Sequence, residues 1–286
     1  MKNETTMKTT GIFKGLFAAT LVGIVSFTAV SANAAHEMIY AVDQNNNLIN
    51  FFSDTPGTLI NTFAINGIKP AEEVRGIDFW QGTMYAFGSF GELYTLNPNN
   101  GVATQVGSGF GVTPSGASFG VDNDPLGFRI VSGLGQNLLV SRATAAVTRE
   151  SDVPQGVDAI AYDSSNSKWY AVNTRDDTLE TFISSTGAVG VIGPLGIDAS
   201  RFNGFDISGG TGIAYLGTPA ATSDPQSNLY TVKLTGTGAG VVTLVGQIDY
   251  PTANTLVRGL TVVPEPSTVV LLALGAFGLL FARRRQ

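Results

Sequence analysis

The chain has 286 residues, no cysteine, one histidine and a formal net charge of −6 at pH 7. Between residues 35 and 263, ten basic residues stand against twenty acidic ones, a formal charge of −10. An acidic surface argues against nucleic acid as a partner. The absence of cysteine excludes a disulfide framework. His36 is predicted to lie in a frayed terminus, which excludes histidine-dependent triads and zinc sites from the folded domain.

The amino-terminal segment has the three parts of a secretory signal peptide. Three lysines precede an apolar run over residues 16–30, and the small residues Ala32 and Ala34 follow it. A positive region, an apolar region and a small-residue exit are the features that signal peptidase recognises. We therefore predict that residues 1–34 are a signal peptide cut after Ala34. An N-terminal membrane anchor is the alternative.

Residues 35–263 consist of short strand-like runs separated by turns rich in Gly, Asn and Ser, with no long stretch of helical apolar spacing. This pattern is typical of an all-β domain. A strand sequence with glycine or alanine near its start recurs in altered form, as Arg75-Gly76-Ile77-Asp78-Phe79, Phe119-Gly120-Val121-Asp122, Ala159-Ile160-Ala161-Tyr162, Asn203-Gly204-Phe205-Asp206-Ile207 and Arg258-Gly259-Leu260-Thr261-Val262.

The spacing of this repeat predicts a β-propeller. Three further strand-like runs can be placed in most units, and four strands in roughly 40 to 45 residues make one blade. The domain opens at 38–42 with a second-strand sequence and closes at 258–262 with a first-strand sequence. Together these fragments would complete one blade, so we predict five blades closed between the two ends. An open β-solenoid is the alternative, and it would leave a sheet edge exposed.

The repeats also resemble a bacterial family catalogued as domain of unknown function 4394. The segments that carry the resemblance are 76–107, which matches best, and 120–140, which contains Gly135-Gln136-Asn137-Leu138. The resemblance covers most of residues 38–263. It implies the fold, and it implies no particular activity.

Residues 264–286 form a second targeting segment. Two prolines hold Glu265 in an exposed, extended stretch, an apolar run over residues 268–282 is just short of a comfortable membrane crossing, and arginines follow. This arrangement resembles the PEP-CTERM sorting signal of Gram-negative bacteria, and the residues that carry the resemblance are Pro264, Glu265, Pro266, Arg283, Arg284 and Arg285.

The resemblance implies transient anchoring in the inner membrane by a C-terminal transmembrane helix. It also implies processing by exosortase near the Pro-Glu-Pro motif and delivery to the cell surface or exterior. An ordinary C-terminal anchor is the alternative.

Metal ligands and cofactors find little support in the sequence. Asp43, Asn45 and Asn47 have the spacing of the first ligands of a calcium loop, but Leu48 stands where that loop needs glycine. A hairpin turn is the favoured interpretation, with calcium as the weaker one. No cofactor is expected.

Arginines and aspartates recur at equivalent positions of the repeat. Arg75, Arg201 and Arg258 lie at or near the start of innermost strands, where they would meet at one mouth of the channel and bind a carboxylate or sulfate on a sugar polymer. The favoured interpretation is instead that they pair with neighbours such as Glu72, Glu73 or Asp78 and fix the geometry between blades. The repeated aspartates Asp78, Asp122 and Asp206 are expected to accept backbone hydrogen bonds at equivalent blade positions.

These observations favour a non-catalytic binding or structural platform in the cell envelope or extracellular matrix, associated with exopolysaccharide or a biofilm. The alternative is a carbohydrate-active enzyme, because five-bladed propellers can carry catalytic carboxylates in their channel. No Asp or Glu pair can be assigned that role from spacing.

Overall fold

The structure is a computed structural model that describes residues 36–249 and 254–263. None of these residues forms a helix with the length and hydrophobicity that a membrane crossing requires. The predicted signal peptide with Ala32 and Ala34, the Pro-Glu-Pro motif and the C-terminal helix with its arginines lie outside the described residues.

The described residues form twenty strands. In chain order they are β1 (Met38–Asp43), β2 (Asn47–Phe52), β3 (Asn61–Ala64), β4 (Val74–Trp80), β5 (Thr83–Gly88), β6 (Glu92–Leu96), β7 (Ala103–Val106), β8 (Phe119–Asn123), β9 (Phe128–Ser132), β10 (Asn137–Val140), β11 (Val147–Arg149), β12 (Val157–Asp163), β13 (Lys168–Asn173), β14 (Thr178–Ile183), β15 (Ala188–Pro194), β16 (Gly204–Ile207), β17 (Ala214–Pro219), β18 (Ser227–Val232), β19 (Val242–Gln247) and β20 (Val257–Val263).

These strands make five four-stranded antiparallel sheets, which are the blades of a propeller. Blade 1 has the order β20-β1-β2-β3, and blades 2 to 5 are the consecutive sets β4–β7, β8–β11, β12–β15 and β16–β19. The innermost strands β4, β8, β12, β16 and β20 contact one another in a closed ring. The prediction of five blades is confirmed, and the open solenoid is wrong.

Ring closure joins the first and last strands of the domain. In blade 1, β20 pairs antiparallel with β1, so that Ile39 faces Val262 and Ala41 faces Leu260. The amino end is also held by side chains: Glu37 accepts hydrogen bonds from Thr211 Oγ1 (3.1 Å) and Tyr215 Oη (3.0 Å) of blade 5. Backbone pairing and packing therefore close the ring without a covalent link.

The prediction that His36 frays is wrong. Its ring stacks on Phe52 at a centroid distance of 3.8 Å. Its Nδ1 lies 2.9 Å from a carboxylate oxygen of Asp54. The side chain is nevertheless exposed, and His36 precedes β1, the second strand of blade 1, rather than lying on an innermost strand of the channel.

The hydrophobic core is divided among the interfaces between blades. There are five buried clusters in the described residues, and each joins two neighbouring blades. Between blades 1 and 2, for example, Leu48 packs in one cluster with Ile77 and Tyr94. Both faces of a blade are buried against neighbours, which explains why its strands are apolar on both sides.

The recurring glycine of the innermost strands has a steric cause. A Cβ atom added to Gly120 would lie 2.6 Å from the Cα atom of Ala159, and one added to Gly259 would lie 2.7 Å from the Cα atom of Gly76. Real Cβ atoms do not approach other atoms so closely. Glycine is needed at positions 120 and 259 because adjacent blades meet backbone to backbone around the channel.

Replacing Gly259 with alanine should therefore weaken the ring. The added methyl group meets backbone and cannot be accommodated by a side-chain rotation, so we expect a loss of about 1–3 kcal/mol in the free energy of unfolding. Urea unfolding of the full chain measures it. Gly209→Ala is the matched control, because the atom nearest to its added Cβ is Ser164 Oγ at 3.6 Å. Equal stability of the two variants would contradict the steric explanation.

Candidate functional site

Three aspartates converge in the channel. Asp78, Asp122 and Asp206 occupy the same position in β4, β8 and β16, two residues after the recurring glycine. Each is buried, and one carboxylate oxygen from each lies within 4.8 Å of the others. We call these three residues the carboxylate cluster. Ala161 and Thr261 stand at the same position in the remaining two innermost strands.

Each member of the carboxylate cluster links its own blade to the next. Asp78 Oδ2 accepts the backbone N–H of Asn123 (2.9 Å), in the following blade. Asp122 Oδ2 accepts the N–H of Tyr162 (2.5 Å), and Asp206 Oδ2 accepts that of Val262 (2.6 Å). The expectation that these aspartates accept backbone hydrogen bonds at equivalent blade positions is confirmed.

Burial and mutual repulsion raise the pKa values of the cluster. Burial raises the pKa of Asp122 well above its ordinary value, and the charges of Asp78 and Asp206 raise it further. Burial likewise raises the pKa of Asp78 and Asp206. A side-chain hydrogen bond between Asp78 and Asp122 favours the proton on Asp122. Ionising all three carboxylates at this distance in a buried site is energetically unfavourable.

A pocket of about 630 Å³ opens above the carboxylate cluster. Its walls include the aromatic side chains of Tyr40, Phe79, Trp80 and Tyr162, and all three aspartates contribute to its lining. The guanidinium carbon of Arg142 lies 4.3 Å from the centre of the Trp80 ring. The size and lining of the pocket fall within the range of small-molecule sites.

The other mouth of the channel is basic. Arg75 and Arg258 lie near the starts of β4 and β20, three residues before the level of the cluster, or ~10 Å along an extended strand. Glu73 pairs with both, and its Oε1 accepts a hydrogen bond from Arg258 Nη2 at 3.0 Å. The guanidinium groups of Arg201 and Arg258 lie 5.4 and 6.0 Å from the ring centre of Phe202. We call Arg75, Arg201, Arg258 and Glu73 the arginine mouth.

The structure thus brings the three predicted arginines together. The favoured interpretation, pairing with neighbours, holds for Arg75 and Arg258, whose partner is Glu73. Burial lowers the pKa of Arg75, Glu73 opposes that change, and the charges of Arg258 and Arg201 lower the pKa again.

The weaker calcium candidates form a turn. Asp43 Oδ1 accepts the backbone N–H groups of Asn45 and Asn47, both at 2.8 Å, and Asp43 Oδ2 accepts Asn47 Nδ2 at 2.8 Å. These bonds belong to the β1–β2 hairpin, the favoured interpretation of the sequence. Among the described residues, the carboxylate cluster is the group whose spacing a metal ion could bridge.

Sequence reasoning missed Asp158, which precedes Ala159 in β12 just as Arg75 precedes Gly76 in β4. Burial raises its pKa to about 6, although Ser118, Thr174 and Asn203 donate hydrogen bonds that oppose the change. The signal was its position before the small residue of the repeat.

Comparison with protein families identifies the domain. The family described as domain of unknown function (DUF4394) matches residues 47–261. The chain belongs to this family. A PEP-CTERM protein-sorting motif matches residues 262–285. Both predicted resemblances are confirmed. The motif indicates an exported protein that is processed by exosortase and anchored transiently through its C-terminus.

Other comparisons add little to the family assignment. No curated protein matches the sequence. Similar solved structures include a protein of unknown function from Bacteroides caccae (7% identity, 81% of this chain and 100% of that one, TM-score 0.49). They also include a nidogen/laminin complex (13%, 79% and 97%, 0.44) and virginiamycin B lyase from Staphylococcus aureus (11%, 75% and 70%, 0.44).

The raised pKa values of the cluster predict an unusual pH dependence of stability for this DUF4394 domain. Because the pKa of Asp122 is raised on folding, the folded chain binds more protons than the unfolded chain. The contribution of Asp122 to the free energy of unfolding is complete below pH ~4 and is lost as pH rises through the pKa of the folded state. Asp122→Asn removes this loss. Between the unfolded and folded pKa values of Asp122, the stability of the variant relative to the wild type should therefore rise by ~1.4 kcal/mol for each increase of one in pH.

Urea unfolding between pH 4 and 8 measures this slope. Asp122→Asn also loses a hydrogen bond that asparagine cannot make, and this loss lowers the free energy of unfolding at every pH. The slope of the stability difference against pH is therefore the diagnostic quantity. Asp152→Asn is the control, because that side chain is 58% exposed. Parallel curves for wild type and Asp122→Asn would contradict the buried, proton-sharing cluster.

Proposed function

We propose that this exported propeller acts without catalysis, as a binding or structural platform in the cell envelope or extracellular matrix, in association with extracellular polysaccharide. The observation that carries the proposal is that the channel carboxylates hold the blades together. Each member of the carboxylate cluster has an oxygen bonded to the backbone of the next blade. Groups engaged in holding the ring are poorly suited to exchange protons or attack a substrate.

The position of the sorting motif supports the same proposal. The channel-lining strand β20 ends at Val263, and the Pro-Glu-Pro sequence begins at Pro264. A cut near that motif would leave all twenty strands in the released product. The processed protein would then be a complete propeller delivered outside the cell.

A carbohydrate-active enzyme is the second candidate. One observation favours it: the three aspartates line a pocket whose walls include four aromatic side chains. Aromatic walls with carboxylates beneath them suit a sugar ring, and paired carboxylates perform glycoside hydrolysis. The two candidates differ in whether a substrate is turned over.

The platform proposal predicts where the native protein is found and how it ends. In the native host, we expect a C-terminus close to Pro264 and recovery of the protein in the extracellular fraction with matrix polysaccharide. A variant with Pro264, Glu265 and Pro266 all changed to alanine should keep the Arg285-Gln286 end and stay in the inner membrane. Intact-mass analysis of the two fractions gives both results. A wild-type protein that keeps its C-terminus in the inner membrane would overturn the proposal.

The platform proposal also predicts no release of reducing ends from matrix polysaccharides incubated with the purified chain. Asp206→Asn is the comparison variant, and Asp152→Asn is its exposed control. Release that is abolished by Asp206→Asn and retained by the control would replace the platform proposal with the enzymatic one.

A further inference from the structure

The arginine mouth contains more positive charge than its own residues neutralise. Of its three guanidinium groups, those of Arg75 and Arg258 together bind one carboxylate, that of Glu73. Among the described residues, Arg201 forms no ion pair within 4.0 Å, and it is exposed.

A second carboxylate, that of Asp158, stands at the equivalent position of β12 and is hydrogen-bonded to Thr174 and Asn203. Three guanidinium groups against two carboxylates leave a local excess of about one positive charge, in a domain whose overall charge is strongly negative.

The guanidinium groups also hold unused hydrogen-bond donors. Within the described part of the chain, the buried atoms Nε of Arg75 and Nε and Nη1 of Arg258 have no hydrogen-bond partner. An unsatisfied buried donor on a charged group is costly. Native proteins usually satisfy such groups with protein atoms, water or a bound ion. The mouth is therefore short of acceptors as well as of negative charge.

The channel below the mouth is closed. The enclosed space there is about 10 Å³, lined by Phe119, Asn203, Arg258 and the glycines of the innermost strands. A space of this size holds about one water molecule. A ligand of the mouth must therefore be a single group presented from outside, because a polymer chain cannot thread the channel.

The position of Glu73 allows a ligand to replace it as the partner of Arg75 and Arg258. It precedes β4 and lies outside the strand ladders, and its side chain is 38% exposed. Arg258, by contrast, is 12% exposed. If the carboxylate of a ligand takes the place of Glu73, both guanidinium groups remain paired. The Glu73 side chain then returns to water, and little stability is lost because a partly exposed ion pair contributes little.

We propose that Glu73 is an internal occupant of an anion site, and that a carboxylate or sulfate group on an extracellular sugar polymer replaces it between Arg75, Arg201 and Arg258. The choice of a sugar polymer rests on the proposed function. The anion site itself does not. Bidentate binding of such groups is the characteristic chemistry of arginine.

The experiment measures binding to the full-length chain by calorimetry with three probes: sodium sulfate, tetragalacturonate and the neutral maltotetraose. We expect tetragalacturonate to bind with an affinity that falls with added salt, and maltotetraose not to bind. Arg258→Gln should weaken tetragalacturonate binding about tenfold, the loss of one charge-assisted contact. Arg201→Gln, an exposed substitution that leaves the Glu73 pairs intact, should weaken it in the same direction.

The decisive variant is Glu73→Gln, which removes the internal competitor. It should strengthen tetragalacturonate binding about threefold or more, the effect of removing a partly exposed competing charge. Arg149→Gln is the control, because Arg149 is an exposed arginine that lies in blade 3, outside the arginine mouth, and pairs with Asp152. Unchanged or weaker binding by Glu73→Gln, with Arg258→Gln still harmful, would overturn the role of Glu73 as an occupant.

The probes separate this inference from the proposed function. Sulfate binding without tetragalacturonate binding would confirm the anion site and overturn the carboxylated polymer as its ligand. No binding of either anion would overturn the anion site. The platform role would then still depend on the location and matrix association of the native protein. Thermal unfolding of each variant shows that a loss of binding does not reflect a loss of fold.

Discussion

The close approach of the five innermost strands is the constraint on which the rest of the structure depends. Backbones of neighbouring blades meet where Gly120 faces Ala159 and where Gly259 faces Gly76, and a side chain at Gly120 or Gly259 would not fit. This approach narrows the channel until about one water molecule fits. It also brings together side chains two residues further along each strand. The carboxylate cluster and the closed channel are two consequences of the same packing.

The cluster shows how an unfavourable burial is made tolerable. Isolated buried carboxylates are expensive, and three together repel one another. Each accepts a backbone hydrogen bond from the next blade, and Thr261 donates a further one to Asp78 Oδ1 at 2.8 Å. The raised pKa values of the cluster favour protonation, which removes part of the repulsion. The same bonds tie blade to blade, including the bond from Val262 in the ring-closing strand.

The sequence predicted more of the fold than of the site, for a physical reason. Blade boundaries follow from local signals, namely turn residues, strand alternation and the recurring glycine. Ring closure followed from an unpaired first-strand sequence at residues 258–262. The site depends on which side chains meet across the channel, and that requires the inclination of the strands. Asp78 and Asp206 are 128 residues apart in sequence, and nothing local shows that they converge. For the same reason, the choice of Glu73 over Glu72 as partner of the arginines was beyond the sequence.

The two ends of the channel have different relations to the sorting motif. Strand β20 carries Arg258 of the arginine mouth near its start and ends at Val263, which lines the pocket above the carboxylate cluster. The sorting segment is joined to that end. A chain held through its C-terminus is therefore attached at the carboxylate end, and the arginine mouth lies at the opposite end of the channel. A polymer proposed as the ligand of the mouth would therefore approach the domain from the end away from this attachment.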